Sequence, residues 1–217
     1  MAAIQAVIFD ADGTLVDSEE PGMDVLHALA LAHGVQCTRA EAYQRFRGAR
    51  MADCIGWIAA QLPGQVPGFE AALTAQARQQ SEVRFRQGLE PLPGALALLQ
   101  SLQIPFCVAT NGPREKVELT LGLTGLRPLL GERIYCAYEV GHFKPDPGLF
   151  LYAAQALGVA PAHCAVVEDS LPGMRAGLAA GMQVFSLHPR AGMDAEVAER
   201  VRFIADLAAL GPLLAKG

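Results

Sequence analysis

The stretch VIFDADGTLVDSEE, Val7 to Glu20, combines a strand signal with several acidic residues. It starts with residues suited to a buried strand and runs directly into Asp10 and Asp12, two like charges one residue apart. In an open parallel sheet, ligands bind beyond the carboxyl ends of the strands. The stretch therefore predicts a first strand whose end carries functional carboxylates, and Gly13 suits a turn directly after it.

Strand and helix signals alternate along most of the chain. Helical stretches begin at Asn111-Gly-Pro113, at Asp146-Pro147 and at Ser170, and the last two end near Gly158 and Gly181. Between them lie short apolar runs, which predict buried strands at 6–9, 106–110, 133–137, 164–167 and 184–187. This alternation predicts an α/β fold with a doubly wound parallel sheet.

One segment interrupts the alternation. Between residues 18 and 88 the pattern contains no convincing strand and favours helices at 21–33, 39–47, 51–62 and 68–87. We expect residues 1–17 and 89–217 to form the α/β catalytic core, and residues 18–88 to form an inserted helical cap domain.

Composition and net charge indicate which broad class of protein this chain belongs to. The chain has 217 residues, of which 52% are apolar and 18% charged, as is typical of a globular protein. Its net charge of −5 argues against nucleic acid or an anionic membrane as a partner. No run is long enough to span a membrane, no secretion signal starts the chain, and the five cysteines show no CxxC spacing. We expect a cytoplasmic protein; the oligomeric state stays open, and a monomer is compatible with the sequence.

Other polar residues fall at the same sheet edge as Asp10 and Asp12. One predicted strand ends in Thr110-Asn111, another ends in Glu168-Asp169, and Lys144 lies in a loop before a helix. Carboxylates brought close together repel one another, so a divalent cation is their natural mediator. Oxygen ligands alone favour Mg²⁺, and a small phosphorylated molecule is the expected partner.

Four motifs in this order resemble the haloacid dehalogenase (HAD) superfamily, in its helical-cap branch of β-phosphoglucomutase-like phosphatases. They are DADGTLVDS at 10–18, Thr110 at a strand end, Lys144 in KPDP, and VVEDS at 166–170. The resemblance covers essentially the whole chain. It implies a HAD-like Rossmannoid core with an inserted cap, and phosphatase chemistry that depends on Mg²⁺.

The resemblance also implies roles for individual carboxylates. Asp10 attacks phosphorus to form an aspartyl-phosphate, and Asp12 exchanges the proton with the leaving oxygen and later with water. Asp10, the main-chain carbonyl of Asp12, and Asp169 would hold Mg²⁺. Glu168 lies beside the metal, reaches it through water, or is instead a structural partner of Lys144.

The phosphoryl oxygens are assigned to three other residues by the same resemblance. Thr110, the amide of Asn111, and Lys144 would hold them, and the helix that begins near Pro113 adds a favourable N-terminal dipole.

Departures from sister patterns separate the alternatives. Asp12 favours phosphate esters over haloacids, and the cap contains no lysine of the kind phosphonatases use. β-Phosphoglucomutase carries a hinge histidine where this chain has Gly22, and an arginine where it has Met51. Phosphatase activity is therefore expected. An intramolecular phosphotransferase and a phospho-ligand sensor without catalysis remain the alternatives.

Two arginines in the cap segment are candidates for substrate specificity. The segment 18–88 contains seven acidic residues and seven arginines, so the net charge of −5 resides outside it. Arg47 and Arg50 flank Gly48 at a helix break, where a cap loop could face the active site. Because arginine suits a carboxylate or a second phosphate, we expect a substrate that carries a second anionic group.

Overall fold

The structure is a computed structural model that describes residues 2–46, 49–64, 66–187 and 193–214. The chain divides into two units, Met1–Asp17 with Glu90–Gly217, and Ser18–Leu89. The second division therefore lies one residue later than the sequence pattern indicated, because Leu89 belongs to the inserted unit.

A parallel sheet forms the centre of the first unit. Its strands are β1 (Ala6–Phe9), β2 (Phe106–Thr110), β3 (Ile134–Cys136), β4 (Cys164–Glu168), β5 (Gln183–Ser186) and β6 (Arg202–Phe203). The order across the sheet is β3-β2-β1-β4-β5-β6, and all neighbouring pairs are parallel. The chain adds β2 and β3 on one side of β1 and then returns to β4 on the other. This reversal makes the carboxyl end of β1 a topological switch point, where ligands bind in such sheets.

The predicted fold class is confirmed. All five predicted strands are present with small shifts at their ends, while β6 did not appear in the sequence pattern. Every residue of β1, β2 and β4 is buried, which explains why these strands read as continuous apolar runs.

The second unit is helical. It contains α1 (Glu19–Ala32), α2 (Arg39–Phe46), α3 (Met51–Ala60) and α4 (Phe69–Arg86), and its described residues include no strand. A core of its own lies among these helices and includes Leu29, Ile55, Ile58 and Leu73.

The remaining helices belong to the sheet unit. They are α5 (Ala95–Ser101), α6 (Arg114–Leu123), α7 (Arg127–Leu130), α8 (Ala137–Val140), α9 (Gly148–Leu157), α10 (Leu171–Ala179), α11 (Ala195–Arg200) and α12 (Leu210–Leu214). Helices α9 and α10 pack on the sheet through Phe150 and Met174, in a core that also contains Ile8 and Val166. Among the described helices of both units, none is long and apolar enough to cross a membrane.

Candidate active site

The predicted polar residues of the core lie at the carboxyl ends of adjacent strands. Asp10 follows β1, Thr110 is the last residue of β2, and Glu168 is the last residue of β4. The register pairs Phe9 with Val108 on one side and with Val167 on the other, so these strands end at the same level. The sheet therefore brings the three strand ends together in the way the sequence predicts.

Lys144 joins two of these strand ends. Its ammonium contacts the carboxylate of Asp10 and lies 2.6 Å from Oε1 of Glu168, and the side chain is almost completely buried. Burial lowers the pKa of Lys144, but Asp10 and Glu168 more than offset this and raise it above its usual value. The ammonium consequently stays charged in the interior, between two carboxylates.

Glu168 is held on both of its oxygens. While Oε1 accepts from Lys144, Oε2 accepts from the main-chain N–H groups of Asp169 and Ser170 and from the Ser170 hydroxyl, at 2.9–3.0 Å. A Cβ built on Gly173 would overlap this carboxylate, so only glycine leaves room for it. This geometry favours Glu168 as the structural partner of Lys144 over a direct metal ligand.

Asp169 lies against the turn that follows β1. Gly13 has a φ of +74°, in the left-handed region, and its N–H donates to the carbonyl of Val16 at 2.9 Å. A Cβ at Gly13 would overlap the Asp169 carboxylate, and the Thr14 hydroxyl donates to Oδ1 of Asp169 at 3.3 Å. Residues 12–14, Asp-Gly-Thr, thus form a turn, and the carboxylate of Asp169 packs against it.

The side chain of Asn111 has a role that the sequence did not indicate. Its Oδ1 accepts from the Lys144 N–H at 2.9 Å, and its Nδ2 donates to the Lys144 carbonyl at 3.3 Å. The side-chain amide thus binds the Lys144 loop, and a phosphate contact from Asn111 would come from its main-chain N–H. The hydroxyl of Thr110 accepts from the Gly112 N–H at 3.0 Å and can still donate.

Asp12 contacts a residue that the sequence analysis missed. The Lys116 ammonium, in the first turn of α6, lies 2.7 Å from Oδ2 of Asp12. A lysine near the start of an amphipathic helix looks like any solvated lysine. The one available signal is its position in NGPREK, just after the strand end that carries Thr110.

The donor set is compatible with a divalent cation. Asp10, Asp12, Glu168 and Asp169 outnumber the two ammonium groups of Lys144 and Lys116, which leaves an excess of negative charge. Burial raises the pKa of Asp10 to about 7. The neighbouring carboxylates of Glu168 and Asp12 also raise this pKa, whereas the Lys144 ammonium lowers it. A cation beside Asp10 would favour its charged form, which the proposed chemistry requires.

The metal set predicted from the resemblance consists of two carboxylates and one main-chain carbonyl. Within the part of the chain that the structure describes, no three His, Cys, Asp or Glu side chains could hold a metal by themselves. Mg²⁺ in proteins binds through one or two carboxylates and keeps several waters.

Of the two arginines predicted to determine specificity, the structure describes one. Arg47 lies outside the described residues. Arg50 forms a forked pair with Asp53, with Nε to Oδ2 at 2.8 Å and Nη2 to Oδ1 at 2.9 Å. An anionic group of a substrate would have to compete with Asp53 for this guanidinium.

Comparisons with known proteins identify the family to which the chain is similar. Residues 4–181 match the model of a family described as haloacid dehalogenase-like hydrolase. The 6-phosphogluconate phosphatase of Escherichia coli (strain K12) is 34% identical, over 85% of this chain and 83% of that protein. Hexitol phosphatase A of the same organism is 33% identical, over 83% and 82% respectively. Among solved structures, a HAD family hydrolase from Deinococcus radiodurans R1 with bound phosphate and sodium has a TM-score of 0.78 at 32% identity, covering 100% of this chain and 97% of that one.

Proposed function

We propose that this chain is a Mg²⁺-dependent phosphatase of a small sugar phosphate or sugar-acid phosphate. The chain belongs to the haloacid dehalogenase-like hydrolase family and is a phosphoric monoester hydrolase. One observation carries the mechanism. The buried Lys144 contacts Asp10 at the end of β1, and Asp12 lies two residues further along. This arrangement supports the roles proposed here at the switch point of the sheet, with Asp10 as the nucleophile, Lys144 as the cation and Asp12 as the proton-exchanging group.

The reaction proceeds in two steps. A carboxylate oxygen of Asp10 attacks phosphorus, the bond from phosphorus to the leaving oxygen breaks, and Asp12 gives that oxygen its proton. Water then attacks the aspartyl-phosphate and gives a proton to Asp12, while the bond between phosphorus and Asp10 breaks. Inorganic phosphate is released and both aspartates return to their starting states.

The remaining groups bind and neutralise charge. The Lys144 ammonium, the Thr110 hydroxyl and the main-chain N–H of Asn111 would hold phosphoryl oxygens. Mg²⁺, bound by Asp10, Asp169 and the main-chain carbonyl of Asp12, would supply further positive charge beside them. Preorganised charge of this kind is the main source of catalysis in phosphoryl transfer.

The substrate class follows from the relatives and from charge. One relative is a phosphatase of 6-phosphogluconate and another of hexitol phosphates, so sugar acids and polyols are the first compounds to test. We favour the substrate with a second anionic group, because Arg47 and Arg50 lie near each other in the chain of the proposed cap, residues 18–88. Cytoplasmic location and the lack of nucleic-acid or membrane partners stay predictions from the sequence.

A panel of three phosphorylated compounds, assayed with the parent enzyme and with variants, tests this proposal. Release of inorganic phosphate is measured with Mg²⁺ on 6-phosphogluconate, sorbitol 6-phosphate and 4-nitrophenyl phosphate. We expect 6-phosphogluconate to have the highest kcat/KM, and Arg47→Ala or Arg50→Ala to lower that value by about 10–100-fold, as for a lost charge-assisted pair.

Arg86→Ala is the matched control, because Arg86 forms an exposed pair with Glu82 on α4. Equal losses in all three variants, or none in any, would remove the specificity role of Arg47 and Arg50. Phosphate release from none of the three compounds, or an isomerised sugar phosphate as the only product, would contradict the phosphatase proposal itself.

A further inference from the structure

The ion pair between Lys116 and Asp12 joins the turn after β1 to the helix after β2. Asp12 lies in the turn after β1, and Lys116 lies in α6, which follows β2; the two residues are 104 positions apart. Their side chains are 37% and 26% exposed, so the pair is neither deeply buried nor free in solvent. The contact therefore needs a reason other than general surface solvation.

Stability does not provide that reason. Partly exposed ion pairs contribute little to stability, because solvent screens them and two flexible side chains lose freedom. What such a pair does is restrict the direction of the shorter side chain. A Cβ built on Gly112 would lie 3.6 Å from Oδ2 of Asp12 and 3.4 Å from the Thr110 hydroxyl. The Asp12 oxygen that Lys116 contacts and the Thr110 hydroxyl therefore both lie beside Gly112.

We propose that Lys116 is a positioning residue, which holds the Asp12 side chain in the orientation needed to exchange a proton, given to the leaving oxygen when Asp12 is protonated and taken back from water when it is ionised. This inference rests on the proposed function, in which Asp12 exchanges that proton. Lys116 itself takes no proton and forms no bond to phosphorus. Its effect on the reaction passes through Asp12.

Leaving groups of different acidity separate this role from binding. A sugar hydroxyl leaves poorly unless it receives a proton, whereas nitrophenolate leaves as the anion. Misplacing the proton donor should therefore slow the first reaction and spare the second. For Lys116→Met we expect kcat/KM for sorbitol 6-phosphate and 6-phosphogluconate to fall by about 10–100-fold, and for 4-nitrophenyl phosphate by less than about 3-fold.

Three controls isolate the orientation effect. Lys116→Arg retains a cation that can reach a carboxylate and should restore most of the loss. Arg200→Met removes a comparable exposed cation, paired with Glu196 on α11, and should leave both substrates unchanged. The inhibition constant of inorganic phosphate should also be unchanged in Lys116→Met, because phosphate binding needs no proton donor.

Asp12→Asn separates the inference from the function on which it rests. If Asp12→Asn shows no preference between leaving groups, the proton role of Asp12 is wrong and the inference fails with it. If Asp12→Asn spares only the aryl substrate but Lys116→Met lowers both substrates equally, the proposed function stands and the positioning role is wrong. A loss confined to 6-phosphogluconate, or a raised phosphate inhibition constant, would show that Lys116 binds substrate instead.

Discussion

Lys144 links more of the site than any other single residue described here. Its ammonium touches Asp10 and Glu168, and its main chain is bound at both polar groups by the side chain of Asn111. A buried charge that loses one partner is costly, so each of these contacts depends on the others. Lys144 lies in a turn outside the helices and strands, and the Asn111 side chain connects its main chain to the end of β2.

Removing the Asn111 side chain should therefore displace Lys144. In Asn111→Ala two hydrogen bonds are lost, each contributing about 1 kcal/mol. We expect kcat/KM for 4-nitrophenyl phosphate to fall by about 10–100-fold, since small shifts of catalytic groups have effects of this size. Steady-state kinetics with Mg²⁺ would measure this.

Gln103→Ala is the control, because the Gln103 amide is exposed and makes a local bond to the Ser101 carbonyl. The control should retain full activity. Activity of Asn111→Ala within twofold of the parent would show that the loop keeps its position without this side chain.

The start of α10 organises the end of β4. Ser170 caps the helix by accepting from the Gly173 N–H at 3.2 Å, and the same hydroxyl donates to Glu168 at 2.9 Å. The absence of a side chain at Gly173 then lets the Glu168 carboxylate lie against the helix. One helix terminus thereby determines where Glu168 meets Lys144.

Gly173→Ala tests this packing. Because the added methyl would overlap the Glu168 carboxylate, we expect the free energy of unfolding to fall by about 1–3 kcal/mol, as for an overpacked core. Urea denaturation would measure the change.

Gly122→Ala is a matched control on the exposed side of α6, where a Cβ meets nothing within 4 Å. There the substitution should leave stability unchanged or raise it by up to about 1 kcal/mol through helix propensity. Equal unfolding free energies for Gly173→Ala and the parent would mean that the space beside Glu168 is larger than described.

The sequence predicted elements better than it predicted contacts. Helix α6 covers REKVELTLGL, as the Pro113 start and the apolar spacing indicated. Strand β6 was missed because two residues are too few for any period to show. The Asn111 and Lys116 contacts were missed because they join residues 33 and 104 positions apart, where only the folded sheet determines the neighbours.

At the scale of the whole molecule, two units each contain their own core. The candidate catalytic and phosphate-binding residues Asp10, Asp12, Thr110, Asn111, Lys144 and Asp169 all belong to the sheet unit. The assignment of residues 18–88 as a specificity cap is a proposal, supported by its neutral charge balance beside a core that carries the net −5.

Metal dependence should follow from the excess of carboxylates over ammonium groups at the candidate site. Exhaustive chelation should abolish turnover, and Mg²⁺ should restore it, because four carboxylates outnumber the two ammonium groups at the site. Excess Ca²⁺ should inhibit, since its looser coordination disturbs the in-line geometry. Phosphate release from 4-nitrophenyl phosphate would be measured after chelation, after Mg²⁺ is restored, and with excess Ca²⁺. Full activity after chelation would contradict the metal site.

The central claim is that Asp10 is the nucleophile, and Asp10→Asn tests it most directly. An amide cannot form the acyl-phosphate, so we expect turnover of 4-nitrophenyl phosphate with Mg²⁺ to fall by at least about 10³-fold. Asp194→Asn is the control, because Asn can still cap α11 as Asp194 does, and it should keep parental activity. Residual activity of Asp10→Asn within tenfold of the parent, in protein of unchanged melting temperature, would contradict the account.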